Sequence, residues 1–308
     1  MEHLTGTVTP DVNAPPEAGR TKFLPLTHDG NRDPMIESVD RGMGLANDAA
    51  FGFDEDLVWP LDDRAMLTTS DFSPVTEKFT KFTADLGETL QLDDQLDYHP
   101  GQYVQVEVPQ CPRRWRYLSP TLPSQSDGRI EFHVRAVSGG MVSNAIVAET
   151  KPGDRWRLSS PHGALEVDRD AGDVLMVAGS TGLAPLRALI MDLARYGVNP
   201  RVHLFFGARY PCELYDLRTL WEIAANNPWL SVTPVTEYST DPPWAADYPD
   251  VQPPRGLHVR QTGLLPEVVT RYGGWGDRQI LISGSPGMVT ATRAALIAKG
   301  APAERIQH

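Results

Sequence analysis

Cysteine is almost missing from this chain: Cys111 and Cys212 are the two in 308 residues. Two distant thiols are too few for a disulfide framework or a four-thiolate cluster, and they fit a reducing cytoplasm. Positive charge is also scarce. There are 28 Lys and Arg against 40 Asp and Glu, a formal net charge of −12. That balance disfavours nucleic acid and anionic membrane surfaces as partners. No apolar run approaches the ~20 residues that span a bilayer, so no membrane insertion is expected. Met1-Glu-His-Leu-Thr5 has neither the basic start nor the apolar core of a signal peptide. The eight histidines show no His-x-x-x-His spacing, and no metal site is expected.

What is present suits a globular protein with two cores. Hydrophobic residues make up 41% of the chain, and the length allows two domains. Residues 1–60 stand apart, rich in Pro, Gly, Asp and Asn. They carry 11 acidic and 4 basic residues, so more than half of the net charge lies in a fifth of the chain. Such a composition buries too little surface to offset ordering entropy, and a disordered or loosely draped acidic extension is expected. Phe51, Phe53, Val58 and Trp59 are its expected anchors.

From 61 to 168 the pattern is β. Short runs at 65–70, 79–85, 103–108, 130–137 and 155–158 are separated by turn residues, with one helix at 143–149. Ile130-Glu-Phe-His-Val-Arg135 alternates strictly, as a half-buried strand does. A small antiparallel barrel is expected. From 169 to 308 strands at 174–178, 202–207, 231–235 and 279–283 alternate with helical patterns at 183–196, 217–225, 264–272 and 287–299. That alternation predicts a parallel sheet covered by helices.

The most informative stretch is Val174-Leu-Met-Val-Ala-Gly-Ser-Thr-Gly-Leu-Ala-Pro-Leu-Arg187. An apolar strand runs into a turn of small residues and then into an amphipathic helix with Pro185 near its start. A helix start carries free N–H groups and a positive dipole end, and glycines let the backbone approach an anion. The pattern is that of a phosphate cradle.

Four further segments follow one order along the chain: His99-Pro-Gly-Gln-Tyr103, Trp115-Arg-Tyr-Leu-Ser-Pro120, Val137-Ser-Gly-Gly-Met-Val-Ser-Asn144 and Ile282-Ser-Gly-Ser-Pro-Gly-Met288. With Gly179 to Arg187 they resemble the ferredoxin–NADP reductase superfamily over residues 61–308. The pieces Leu204-Phe-Phe-Gly-Ala-Arg209, Leu214-Tyr-Asp216 and Pro161-His-Gly163 are most similar to the reductase half of flavohaemoglobins. Residues 1–60 are too short and polar for a haem pocket, so the globin half is expected to be absent.

The resemblance implies a six-stranded antiparallel FAD-binding barrel followed by a parallel-sheet NAD(P)-binding α/β domain. It places Arg116 on the FAD pyrophosphate, where a guanidinium fork suits phosphate oxygens. It places Ser119 at flavin N5, and Gly139, Gly140, Met141, Val142 and Ser143 at a second pyrophosphate cradle. Tyr103, Tyr117, Leu118, His133, Val134 and Arg135 complete the implied FAD set. Gly179, Thr181 and Gly182 are implied for the nicotinamide nucleotide pyrophosphate. Ser283, Gly284, Pro286 and Met288 close around the nicotinamide, and Arg209 meets the adenosine ribose. Ser119 and Ser283 are the implied catalytic positions.

Three departures accompany the likeness. The family's Arg-x-Tyr-Ser is here Arg116-Tyr-Leu-Ser119. Alternation sets Arg116 and Leu118 on one face and Tyr117 and Ser119 on the other, so Tyr117 takes the family tyrosine's place only through a bulge. Many members carry cysteine where this chain has Ser283. Members often place an aromatic over the flavin a few residues beyond the point where Ile306-Gln-His308 ends.

The implied activity is an FAD-dependent NAD(P)H oxidoreductase that passes electrons to a separate acceptor, a haem protein or an oxygenase component. NADH is favoured over NADPH because Tyr210-Pro-Cys-Glu213 adds a carboxylate and no second cation beside Arg209. The competing reading is a flavin-binding regulatory module with little turnover.

Overall fold

The computed structural model describes residues 4–8, 88–92, 96–126, 128–136, 140–150, 154–242, 253 and 257–308. The expected strands at 65–70 and 79–85, the four aromatic and apolar anchors of the N-terminal segment, and Gly139 lie outside them. The chain divides into two units, 1–163 and 164–308.

The first unit is an antiparallel sheet. Its strands are β1 (Leu4–Val8), β2 (Glu88–Leu92), β3 (Val104–Glu107), β4 (Trp115–Leu118), β5 (Arg129–Phe132) and β6 (Arg155–Leu158), in the order β4-β3-β6-β1-β2-β5. One helix, α1 (Met141–Glu149), lies between β5 and β6. The N-terminal segment, expected as a disordered or loosely draped extension, contributes one strand to this sheet. Its residues Leu4–Val8 pair with Arg155–Leu158 on one side and with Glu88–Leu92 on the other. The alternating Leu4-Thr-Gly-Thr-Val8 is a strand pattern that the acidic average of the segment conceals. Beyond β4 the chain reaches the opposite edge of the sheet: Pro120 bridges Phe132, and Thr121 N–H donates to the Glu131 carbonyl at 2.9 Å.

The core of this unit follows the strand period. β5 alternates exposed, buried, half-buried and buried, and β6 buries Trp156 and Leu158 while exposing Arg155 and Arg157. Phe132 and Trp156, both fully buried, stack with ring centroids 6.4 Å apart.

The second unit is a parallel sheet, β10-β9-β8-β7-β11-β12, built from β7 (Val174–Gly179), β8 (Val202–Ala208), β9 (Leu230–Thr236), β10 (Gln261–Thr262), β11 (Gln279–Ser283) and β12 (Ile306–Gln307). Between the strands run α2 (Leu183–Leu193), α3 (Leu217–Asn226), α4 (Leu265–Tyr272) and α5 (Pro286–Ala298). The five residues Val174 to Ala178 are all 0% exposed, which is why β7 reads as an unbroken apolar run rather than an alternation. α2 stops three residues earlier than its pattern suggests. The Asn199 side-chain amide caps the carbonyls of Leu193 and Tyr196 at 2.9 and 3.0 Å and turns the chain toward β8. Among the described residues no helix is long and apolar enough to cross a membrane.

Strand order locates the ligand crevice. From β7 the chain builds outward through β8, β9 and β10, then returns to add β11 on the other side of β7. The reversal opens a crevice at the carboxyl ends of β7 and β11, where open parallel sheets bind ligands.

At the opposite, amino end of β8, His203 is packed in an aromatic box. Its ring stacks on Phe205 at 4.3 Å and meets Tyr272, Trp275 and His258 at 5.8, 5.6 and 5.3 Å. One ring nitrogen is 2.8 Å from the Thr233 hydroxyl. Burial, with His258 and Arg278 adding to it, lowers its pKa from 6.5 to about 4. The imidazole is therefore neutral in the fold and takes up a proton more readily when unfolded. Stability is full above pH 6.5 and falls as pH drops toward 4, by about 3 kcal/mol in total. Urea titrations across this range should show that slope in the wild type and its loss in His203→Phe.

Candidate functional site

Two groups of residues assemble, one in each unit. In the second unit the sheet crevice is built from two turns. After β7, Gly179 leads into a single 3₁₀ turn, Ser180–Gly182, and α2 follows at once. Ser180 holds φ +52, a left-handed conformation that glycine adopts freely and serine adopts at a cost. After β11, paired residue for residue with β7 through Ser283 opposite Ala178, Gly284 turns the chain into α5.

The two turns touch. A Cβ on Gly182 would collide with the Ser283 carbonyl oxygen and lie 2.5 Å from the Gly284 nitrogen and Cα. The Met288 side chain fills the notch beside them. Its methyl would stand 2.8 Å from a Cβ on Gly179 and would collide with one on Gly284. The Thr292 hydroxyl, 3.2 Å from the Met288 sulfur, holds that side chain in place. Gly179, Thr181, Gly182, Ser283, Gly284, Pro286 and Met288 therefore share one edge of the sheet.

The helix starts at this edge differ. Ser285 caps α5 by accepting from Met288 N–H at 3.4 Å. Gly182 supplies no side-chain cap to α2, and the Leu183 N–H already donates to the Ser180 carbonyl of the 3₁₀ turn before it. Arg187 and Asp216 form a buried pair, 2.7 Å apart, that ties α2 to the start of α3. Arg209 lies just past β8. Its backbone N–H and that of Tyr210 donate to the Glu213 carboxylate at 3.0 and 3.3 Å.

In the first unit β3 and β4 pair with Val104 opposite Leu118, Gln105 opposite Tyr117 and Val106 opposite Arg116. Leu118 packs on the core. Tyr117 lies on the other face, edge-on to Tyr103 at 5.2 Å, with its hydroxyl accepting from the Gln105 amide at 2.8 Å. No bulge brings Tyr117 to the face of Arg116. Gly163 holds φ +92, and the Tyr103 ring would stand 2.9 Å from a Cβ there.

Arg116 donates to the Trp115 carbonyl at 2.8 Å and acts electrostatically on Cys111. The Cys111 sulfur is 4.0 Å from the Met141 carbonyl, in the first turn of α1. Burial first and Glu149 second push the Cys111 thiol up, against Arg114 and Arg116. The N-cap of α1, Gly140, again supplies no side chain. Ser143 and Asn144 both donate to the Gly140 carbonyl, at 3.2 and 2.6 Å, and secure the turn. Val134 and Val142 are buried in the core.

Sequence reasoning missed a polar chain beside Ser119. The Thr121 hydroxyl donates to the Glu131 carboxylate at 2.5 Å, and the His133 ring lies 3.2 Å from the same oxygen. The alternation in Ile130 to Arg135 already places Glu131 and His133 on one face. What it could not supply is Thr121, which arrives from across the sheet edge. Among the described residues no three His, Cys, Asp or Glu side chains gather as a metal site.

The backbone strain and the glycine contact can be tested separately by urea unfolding. Ser180→Gly should raise stability by up to about 1 kcal/mol, the relief of a left-handed serine less glycine's extra chain entropy. Gly182→Ala should lower it by more than about 2 kcal/mol, because backbone rather than a flexible side chain must move.

Comparisons with known proteins agree with this division. The oxidoreductase FAD-binding domain family matches residues 74–167, and the oxidoreductase NAD-binding domain family matches 176–294. The reductase component of phenol 2-monooxygenase from Pseudomonas sp. strain CF600 is 36% identical, over 51% of this chain and 45% of that one. The ferredoxin–NAD(P)+ reductase component of a Ralstonia naphthalene 1,2-dioxygenase/salicylate 5-hydroxylase system is 33% identical, over 66% of this chain and 57% of that one. The chain thus spans about half the length of these curated relatives. Among solved structures, an Amycolatopsis cytochrome P450 reductase superposes with TM-score 0.60 at 27% identity, over 73% of this chain and 66% of that one. The flavohaemoglobin-type FAD/NAD-binding domain of a Vibrio cholerae nitric oxide dioxygenase shares the fold, with TM-score 0.52 at 22% identity, over 71% of this chain and 88% of that one.

Proposed function

The chain belongs to the ferredoxin reductase superfamily, and on that premise we propose that it is an FAD-dependent NAD(P)H oxidoreductase serving an oxygenase component. The observation that carries the reading is a repeated one. In each unit a helix of nine or more residues starts on a glycine with no side-chain cap. Two such starts suit the pyrophosphates of two dinucleotides. Gly140 adds no side chain where a phosphate would approach α1, while the side that Gly182 leaves bare is filled by the Ser283 and Gly284 backbone.

We read the first unit as the closed FAD barrel. The Pro120–Phe132 bridge and the Thr121–Glu131 bond join its two edge strands. Arg116 and the α1 amides hold the FAD pyrophosphate, and Ser119 gives a hydroxyl to flavin N5. Tyr103, Tyr117, His133 and Arg135 line the rest of the flavin nucleotide, with Leu118 and Val134, packed on the core, contributing backbone. Gly179 and the backbone amides of the Ser180–Gly182 turn, Thr181 and Gly182 among them, hold the nicotinamide nucleotide. Ser283, Gly284, Pro286 and Met288 border its nicotinamide end. Bound flavin accepts a hydride and releases electrons singly, which is the chemistry the side chains cannot supply. The protein's part is positioning: backbone donors that are already oriented lose little freedom when the phosphates arrive. The acceptor is proposed as an oxygenase component because the relatives of highest identity reported above are reductase components of oxygenase systems.

The visible spectrum tests the reading. Purified protein should be yellow with FAD and should bleach within seconds under anaerobic nicotinamide nucleotide. A yellow protein that stays oxidised would favour a flavin-binding regulatory module, and one that never takes up FAD would end the flavoprotein reading. Arg116→Ala should lose most of its FAD, at least about tenfold in affinity, while its circular dichroism is unchanged. Stoichiometric FAD in that variant would remove Arg116 from the site.

A further inference from the structure

α2 buries nine of its eleven residues, and Arg187 is the one charged side chain among those nine. Its guanidinium Nε donates to the Asp216 carboxylate at 2.7 Å, and the two side chains are 10% and 12% exposed. Asp216 stands at the N-cap of α3, where an aspartate ordinarily accepts from the first free amides of the helix. Here its side chain makes no cap. The carboxylate is turned to Arg187 instead.

Stability does not account for that exchange. Taking two charges out of water offsets much of their attraction, and apolar residues of similar volume often hold a fold equally well. The helix cap is forgone as well. What the pair supplies is a fixed distance, set by a directional bond between residues 29 positions apart.

The two joined segments are the supports of the crevice. Upstream of Arg187 lies the Ser180–Gly182 turn, and upstream of Asp216 lies the connection that leaves β8 at Arg209. Parallel pairing of β7 with β8, through Gly179 opposite Gly207, makes the turn and the connection leave the sheet side by side. The connection is stiff along its length. Glu213 accepts from the Arg209 and Tyr210 N–H groups, and the Tyr215 ring stands edge-on to Phe206 at 5.8 Å. A shift at Asp216 is therefore carried back to Arg209.

We propose that Arg187 and Asp216 are positioning residues that set the span between the pyrophosphate support at Ser180–Gly182 and the adenosine support at Arg209. The inference rests on reading the β7–β11 crevice as the nicotinamide nucleotide site. One rigid ligand half reaches across both supports, so its affinity depends on their separation being correct before it arrives. A buried hydrogen-bonded ion pair holds that separation, whereas an apolar contact lets the two helices slide.

The test compares the FAD-loaded full chain with Arg187→Met/Asp216→Asn, which removes both charges together and offers α3 a capping side chain, and with Arg187→Lys. Stability is measured by urea unfolding, ADP binding by calorimetry, and KM by anaerobic flavin reduction with whichever nicotinamide nucleotide reduces the wild type faster. The double variant should unfold at the wild-type urea concentration. It should bind ADP about tenfold more weakly, with a matching rise in KM and a rate at saturating nucleotide within about twofold of wild type. Arg187→Lys keeps the charge and a donor, and should stay within about threefold of the wild-type ADP affinity. Wild-type ADP affinity in the double variant would overturn the proposal. So would a loss of affinity matched by a loss of urea resistance, since a merely structural pair gives that result. A wild type that binds no ADP would bring down the reading of the crevice itself, and the positioning role with it.

Discussion

At the carboxyl ends of β7 and β11 two backbone turns lie so close that Gly182 has no room for a Cβ against Ser283 and Gly284. The parallel register of the two strands, held over five residue pairs, dictates that approach. Because the turns touch, α2 and α5 start side by side, and Met288 is pressed into the notch between Gly179 and Gly284. Ser180 accepts a left-handed backbone at the start of the single 3₁₀ turn that joins β7 to α2.

Local geometry also explains how a chain with a net charge of −12 can hold polyanionic cofactors. The proposed phosphate sites use local dipoles and few formal charges. Uncapped helix starts supply oriented N–H groups, and Arg116 adds one cation where the resemblance implies FAD. Elsewhere arginines are bound up with carboxylates: Arg157 with Glu107 at 2.6 Å, Arg187 with Asp216 at 2.7 Å. Overall acidity and local anion binding do not conflict, because the fields that matter act within one helical turn.

Polar groups also finish the first unit's sheet. Thr121 donates through both its backbone N–H and its hydroxyl to Glu131, and His133 approaches the same carboxylate. A buried threonine with both donors satisfied fixes the segment that follows β4, and with it the position of Ser119. A wholly apolar contact at that edge would bury the same area and leave the segment free to slide by a residue.

Much of this was legible in the residue order. The unbroken apolar run before Gly179 announced a strand, the Gly-Ser-Thr-Gly stretch a tight turn into a helix, and the alternation through Arg116 to Ser119 the separation of Tyr117 from Leu118. These are local properties, set by periods of two and 3.6 residues and by the side chains that turns tolerate. Less legible were Leu4–Val8, whose strand partners lie 80 and 150 residues away, and the acidic average around it concealed a five-residue alternation. The pairing of Arg187 with Asp216, the Glu131 network and the closeness of Gly182 to Ser283 were beyond sequence reading altogether. Each joins residues from different elements, and which elements become neighbours is decided by how the whole sheet buries its apolar faces. Composition and spacing by themselves determined two units with a β half and an α/β half. Tertiary structure alone decided that Asp216 meets Arg187 rather than capping α3, since a side chain's partner is a property of the assembled interior and not of the residue.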